Sequence, residues 1–268
     1  MGQVVHTLPQ GRPVLGVTSL DDEIYLLRDK ERDEVEVYDV TMYQLLRCLT
    51  VPNCSCGVTD MTICGHYRCV YIGDYGVECV HRLGLDDGAT TQWPVNDQPH
   101  GLSVNKAHNV LVTCRRVRKI KEFSSDGNLL RELTLPGDVI NPWHAIRLAS
   151  GEVIVCHSGE EDTVRGVSKI SADGRHIVHS QRGSATGQYY KPRHLAVDNN
   201  EFVFVVDQNN GRVTLLSPTL NNIRQVVSSN QLKGYRHRLC FDLQRRRLYV
   251  TDNEWLLGTS GQVVVFSV

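Results

Sequence analysis

Six short stretches of this 268-residue chain follow one template, an apolar run closed by a polar or small residue. They are IYLLR ending at Arg28, VYIGD at Asp74, VLVTC at Cys114, VIVCH at His157, VFVVD at Asp207 and LYVTD at Asp252, their ends 46, 40, 43, 50 and 45 residues apart. A second stretch follows each: VEVYD, VECVH, IKEFS, VSKIS, VTLLS and VVVFS. Period-two alternation of this kind predicts strands with a buried face. A fixed period of this length marks a repeat architecture, and it restricts the fold more than any other feature of the chain.

Before each pair lies another short apolar stretch: LGVTSL, CGVTDM, HGLSVN, HAIRL, HLAVD and RLCFD. After five pairs comes a fourth, for example QLLRCLTVP (44–52) and NLLRELTLP (128–136). The sixth pair has none, because the chain ends at Val268. The missing strand is found at the other end, where QVVHTLP (3–9) matches RELTLP (131–136) in apolar spacing and in its closing Thr-Leu-Pro. Four strands in a unit of about 44 residues, six times over, predict an all-β six-bladed propeller whose last blade is closed by the amino-terminal strand. The expected blades are 11–53, 54–97, 98–139, 140–189, 190–232 and 233–268 plus 3–9, all in one domain. A β-sandwich would not repeat a four-strand pattern six times.

Apolar residues make up 41% of the chain, enough for a substantial core. With 29 Lys and Arg against 30 Asp and Glu, net charge gives no prior for DNA, RNA or a membrane surface. No run of 18 apolar residues occurs, the start lacks a secretory pattern, and His6 stands where a myristoylation signal needs Ser or Thr. Nine cysteines, an odd number in strand-like contexts, fit buried thiols in a reducing compartment. The expectation is a cytoplasmic, monomeric domain without membrane or DNA contact.

The stretches KPRHLAVDNNEFVFVVDQNNGRVTLLS (191–217) and QPHGLSVNKAHNVLVTCRRVRKIKEFSSDG (98–127) resemble NHL repeats: a Pro, a Gly-like slot, an apolar strand, a short turn and a second strand. The resemblance extends over residues 3–268 and is weakest in the second blade. It is similar in its last blades to the carboxy-terminal propellers of tripartite-motif ubiquitin ligases. Such propellers bind proteins or RNA, so the resemblance implies a substrate-reading domain. No zinc-ligand spacing of a RING or B-box and no coiled-coil heptad run accompanies it.

Four sets of residues are candidates for chemistry. His100, His144 and His194 begin the innermost strands of three consecutive blades, where imidazoles converging on the axis would hold zinc and leave a position for water. The bland alternative is hydrogen bonding to the next blade. His100 also precedes the Gly-like slot that the other two occupy. Asp74, Asp207 and Asp252 close their strands and suit turn ordering; Arg28, Cys114 and His157 at the equivalent positions argue against a calcium ring. Cys54, Cys56, Cys64 and His66 fit no zinc-knuckle spacing.

The fourth set is basic. CRRVRKIKEF (114–123) supplies Arg115, Arg116, Arg118 and Lys119 on the face where YYKPRH (189–194) brings Tyr190 and Arg193, and GYRHRL (234–239) brings Arg236 and Arg238. Arginines beside aromatics can hold phosphates and stack on bases. The turns RDKERDE (28–34) and SGEEDT (158–163) put acidic residues on the same face, and mixed signs favour a protein partner over RNA. The expected function is therefore a non-catalytic recognition propeller without cofactor, with a zinc-dependent lyase or hydrolase at His100, His144 and His194 as the alternative. No nucleophilic triad, phosphate loop or dinucleotide fingerprint is legible.

Overall fold

The structure, a computed structural model, describes residues 1–29, 34–159, 165–180, 189–232, 234, 238–254 and 260–268. Its strands form six four-stranded antiparallel sheets, the blades of a propeller. Their innermost strands are Val14–Leu20, Val58–Cys64, Pro99–Val104, Pro142–Arg147, Pro192–Val197 and Leu239–Asp242. The only helix among the described residues outside the sheets is the single turn Gln208–Asn210.

The second strands read as continuous apolar runs because both their faces are covered. In Cys69–Asp74, Val70 and Ile72 pack towards blade 1, and Tyr71 packs towards blade 3. Period two thus sorts one strand between two cores. The molecule has a wedge of buried side chains between each pair of neighbouring blades. Outer strands such as Leu45–Thr50 and Leu129–Thr134 are mostly exposed.

Blade 6 takes its outer strand from the start of the chain. Gln3–Gly11 runs antiparallel to Gly261–Ser267, with Gln3 opposite Ser267 and Leu8 opposite Val263. Leu8 is fully buried with Val14, Ile24 and Tyr249 in the wedge between blades 6 and 1. Two polar side chains lock this seam. Asn253 accepts from the Val14 N–H (2.7 Å) and donates to the Val14 carbonyl (2.9 Å). Arg28 donates to the carbonyls of Pro9 (3.1 Å), Arg12 (2.7 Å) and Gly261 (3.1 Å). Pairing both chain ends in one sheet removes the open edge that would otherwise template aggregation.

The three aspartates that end second strands order the loops entering their blades. Asp207 accepts from the backbone N–H groups of Tyr190 (3.0 Å) and Lys191 (2.8 Å), Asp252 from that of Gly234 (2.6 Å), and Asp74 from those of Ser55 and Gly76. The turn that follows the strand is bound as well at Asp74, through the N–H groups of Gly76 and Val77, and at Asp207, through the Asn210 side chain, which is the turn ordering expected of them.

Candidate functional site at the axial mouth

Each innermost strand presents one residue to the axis at the same point of its ladder, opposite the residue before the strand-ending polar group. These six are Gly16, Asp60, Gly101, His144, His194 and, by its backbone pairing with Thr251, Arg238. Glycine is needed where blades approach closely: a Cβ on Gly16 would lie 2.7 Å from that of Met61, and one on Gly101 would lie 2.8 Å from the His144 Cα. The other four side chains gather into a buried polar cluster.

The His144 and His194 rings lie 3.9 Å apart. The Asp60 Oδ2 stands 3.4 Å from the His194 Nε2 and 3.9 Å from the His144 Nε2, while its Oδ1 is 3.5 Å from the Arg238 Nε. Burial opposes ionisation of Asp60, yet the neighbouring His194, Arg238 and His144 outweigh it and hold the carboxyl at about 2. Burial, reinforced by His194, pushes His144 down to about 3, so its ring is neutral. The cluster therefore contains a carboxylate facing a guanidinium.

His100 does not join this cluster, contrary to the three-histidine expectation. It occupies the bulge one residue before the axial position, where its ring packs against Tyr75 and Trp143. Asp60 takes its place, and the ligand atoms of Asp60, His144 and His194 all lie within 4.8 Å of one another. Two imidazoles and a carboxylate suit zinc. However, Asp60 Oδ2 already accepts from the Leu102 N–H (2.9 Å), and the His144 Nε2–H donates to the Leu102 carbonyl (2.9 Å). The Asp60 Oδ1, the His144 Nδ1 and both ring nitrogens of His194 are buried without a hydrogen bond, so these atoms could hold a metal with both bonds kept. Cys54, Asp74 and His81 form a second candidate set, but Asp74 is engaged with its entry loop.

Above the cluster the axis opens into two adjoining cavities. One, of about 380 Å³, is lined by His100, Trp143, Lys191, Arg193 and Arg238 among others. The second, of about 330 Å³, shares Trp143, Lys191 and Arg193 and adds Arg115, Arg165 and Tyr190. No carboxylate lines either among the described residues. The Arg193 guanidinium lies 3.0 Å and that of Arg115 4.1 Å from the centre of the Trp143 ring, and Arg165 stands 4.7 Å from that of Tyr190. Stacking on an indole fixes a guanidinium plane. Burial and then Arg115, Arg238 and Arg193 push His100 down to about 4, leaving it a neutral ring in a cationic mouth.

The basic residues singled out in the sequence thus divide. Arg115, Tyr190, Arg193 and Arg238 line the cavities. Arg116 and Arg118 are exposed at the tip of their turn. Lys119 points outward to Glu132 on the outer strand, 2.6 Å away, so it is not a mouth residue. Arg236 and most of the two acidic turns, 30–33 and 160–163, lie outside the described residues. Trp143, Arg165, Lys191 and Asp60 were missed. Trp143 adjoins the stretch HAIRL, and Lys191 lies within YYKPRH. Asp60 was hidden by aligning CGVTDM with HGLSVN, which puts Gly57 rather than Asp60 beside Gly101.

Blade 4 does hold a serine–histidine–carboxylate series that the sequence did not disclose. The Ser168 Oγ is 2.6 Å from the His179 Nδ1, and the His179 Nε2 is 2.8 Å from Asp138. Ser168 and its other partner, His157 at 2.8 Å, are fully buried, so no substrate carbonyl reaches the hydroxyl.

No protein-family model matches the sequence, and a search of curated proteins finds no match. Solved structures share the fold. A streptogramin B lyase superposes with a TM-score of 0.67 at 13% identity, over 96% of this chain and 84% of that one. Virginiamycin B lyase from Staphylococcus aureus gives 0.66 at 12%, over 98% and 99%. The WD40 repeats of RRP9 give 0.68 at 12%, over 94% and 79%. At such identities the likeness concerns the propeller fold alone. No helix among the described residues is long and apolar enough to cross a membrane.

Proposed function

We propose that this propeller is a recognition module that takes an acidic segment of a partner protein at its axial mouth. The observation that supports it is the platform of Arg115, Trp143 and Arg193 with Lys191 beside it, lining cavities that hold no described carboxylate. Cations set in a concave, half-buried surface favour anionic partners in both encounter and orientation. The resemblance to tripartite-motif propellers supports a narrower reading, a substrate-reading domain for a ubiquitin ligase. The test is an array of acidic, neutral and basic peptides probed with the native protein and with Arg115→Glu. Binding confined to acidic peptides and lost in the variant supports the proposal; binding blind to peptide charge, or unchanged by the variant, overturns it.

A second reading, a metal-dependent lyase, draws on the convergence of Asp60, His144 and His194 and on the lyases among the structural neighbours. Stoichiometric zinc in the purified protein, lost in His194→Ala, would favour it over the first.

A further inference from the structure

In blades 1 to 5 a bulge before the axial residue turns one side chain into the mouth. These side chains are Leu15, Thr59, His100, Trp143 and Arg193, and all of them line the first cavity. Around the ring they sort by polarity. Among the described residues blades 1 to 4 bring no charge to this cavity, since burial leaves the His100 imidazole neutral, and Val58 adds to the apolar wall beside Leu15. Tyr75, which packs against His100, prolongs that wall towards the rim as an exposed ring.

The opposite wall belongs to blades 5 and 6 and is cationic. Arg193 stacks on Trp143, and Arg238 donates to the Thr59 carbonyl (3.0 Å) beside Asp60. Lys191 makes no ion pair among the described residues; burial, and then Arg193, Arg115 and Arg165, push its ammonium below its ordinary value. A single carboxylate brought against it relieves that cost. The cavity therefore suits a ligand that carries one negative charge on one side and an apolar group on the other.

Its floor is closed. Asp60, His144 and His194 fill the axis below and are almost completely buried, so no chain threads through. An internal segment would have to loop in and out of one opening, whereas a chain end enters once. A chain end also carries a carboxylate and its last side chain on the same Cα, close enough for both to meet facing walls of one cavity of about 380 Å³.

We infer that the first cavity captures the carboxyl terminus of the partner protein, with the α-carboxylate against Lys191 and an apolar last side chain against Leu15 and Val58. This rests on the reading of the mouth as a site for acidic protein segments and adds that the segment ends the partner chain.

The experiment uses glutamate-rich peptides labelled at the amino terminus, with binding to the full chain read by fluorescence anisotropy. One ends in leucine with a free carboxylate, one ends in leucine amide with an extra internal glutamate to keep net charge equal, and one ends in serine with a free carboxylate. Expected is at least ~10-fold tighter binding of the free leucine end than of the amide, a margin lost in Lys191→Gln. Leucine is also expected to outbind serine by about 10-fold, a preference reduced in Val58→Ser. Thermal melting of each variant separates loss of binding from loss of fold. Equal binding of acid and amide overturns terminus capture while leaving acidic-segment recognition standing, and a margin that survives in folded Lys191→Gln overturns the assignment to this cavity. Failure of all three peptides overturns the parent reading as well. Acetyl-leucine that binds as tightly as the peptide assigns the cavity to small carboxylic acids and overturns the inference.

Discussion

Asp60 and His144 hold the backbone of one residue between them: the Leu102 N–H donates to the carboxylate of Asp60 and the Leu102 carbonyl accepts from the imidazole of His144, each at 2.9 Å. A residue of blade 2 and one of blade 4 thereby clasp the strand of blade 3 between them. The axial cluster is thus an inter-blade tie whose burial requires a neutral histidine, while its neighbours keep the aspartate ionised.

That requirement gives a pH dependence. The ordinary histidine value is 6.5 and His144 is held at about 3, so between these the unfolded chain binds a proton that the folded one does not. Stability therefore falls as pH drops below about 6.5, by up to about 1.4 kcal/mol per pH unit from this group. The Asp60 contribution is lost only at lower pH, from 3.8 towards 2. Denaturant melts from pH 7 to 4 should show the decline, and His144→Gln should flatten it.

Ring closure is testable at Leu8. Leu8→Ala should cost about 2–5 kcal/mol, the usual range for a fully buried leucine. Deleting residues 3–9 should leave the strand Gly261–Ser267 as an open edge and produce aggregation, measured by light scattering.

Asn253 should matter more than its size suggests. Asn253→Ala leaves both Val14 backbone groups without their buried partner, at about 1–3 kcal/mol for each group left unsatisfied. Chemical denaturation should show a loss well above that of an exposed Asn→Ala change.

Asp207 links fold to mouth. Asp207→Ala releases the backbone at Tyr190 and Lys191, so peptide affinity should fall by about 10-fold, equivalent to about 1.4 kcal/mol. Affinity measured on folded protein, verified by circular dichroism, checks this.

The architecture was legible because strand-ending residues such as Asp74, Asp207 and Asp252 recur at nearly fixed intervals, and because Thr-Leu-Pro at 7–9 repeats that at 134–136. The site was legible only in part. Register within a repeat decides which side chain meets the axis, and a bulge before the axial residue shifts it by one: His100 therefore faces Trp143 while His144 and His194 meet. In blade 2 the match of CGVTDM to HGLSVN centres on Gly57, three residues before the axial Asp60, and Asp60 escapes it. Lys119 shows the same limit, since strand alternation and not charge sends it to Glu132. Arg165 follows an acidic turn, and nothing in that stretch marks it as a residue that reaches Tyr190.

The most direct test of the account compares mouth with axis. A dye-labelled glutamate-rich peptide is titrated against the native protein, Arg115→Ala with Lys191→Ala, and His194→Asn, each verified as folded. The account predicts at least ~10-fold weaker binding for the mouth variant and a change within about 2-fold for the axial one. Binding lost in His194→Asn and kept in the mouth variant would contradict it.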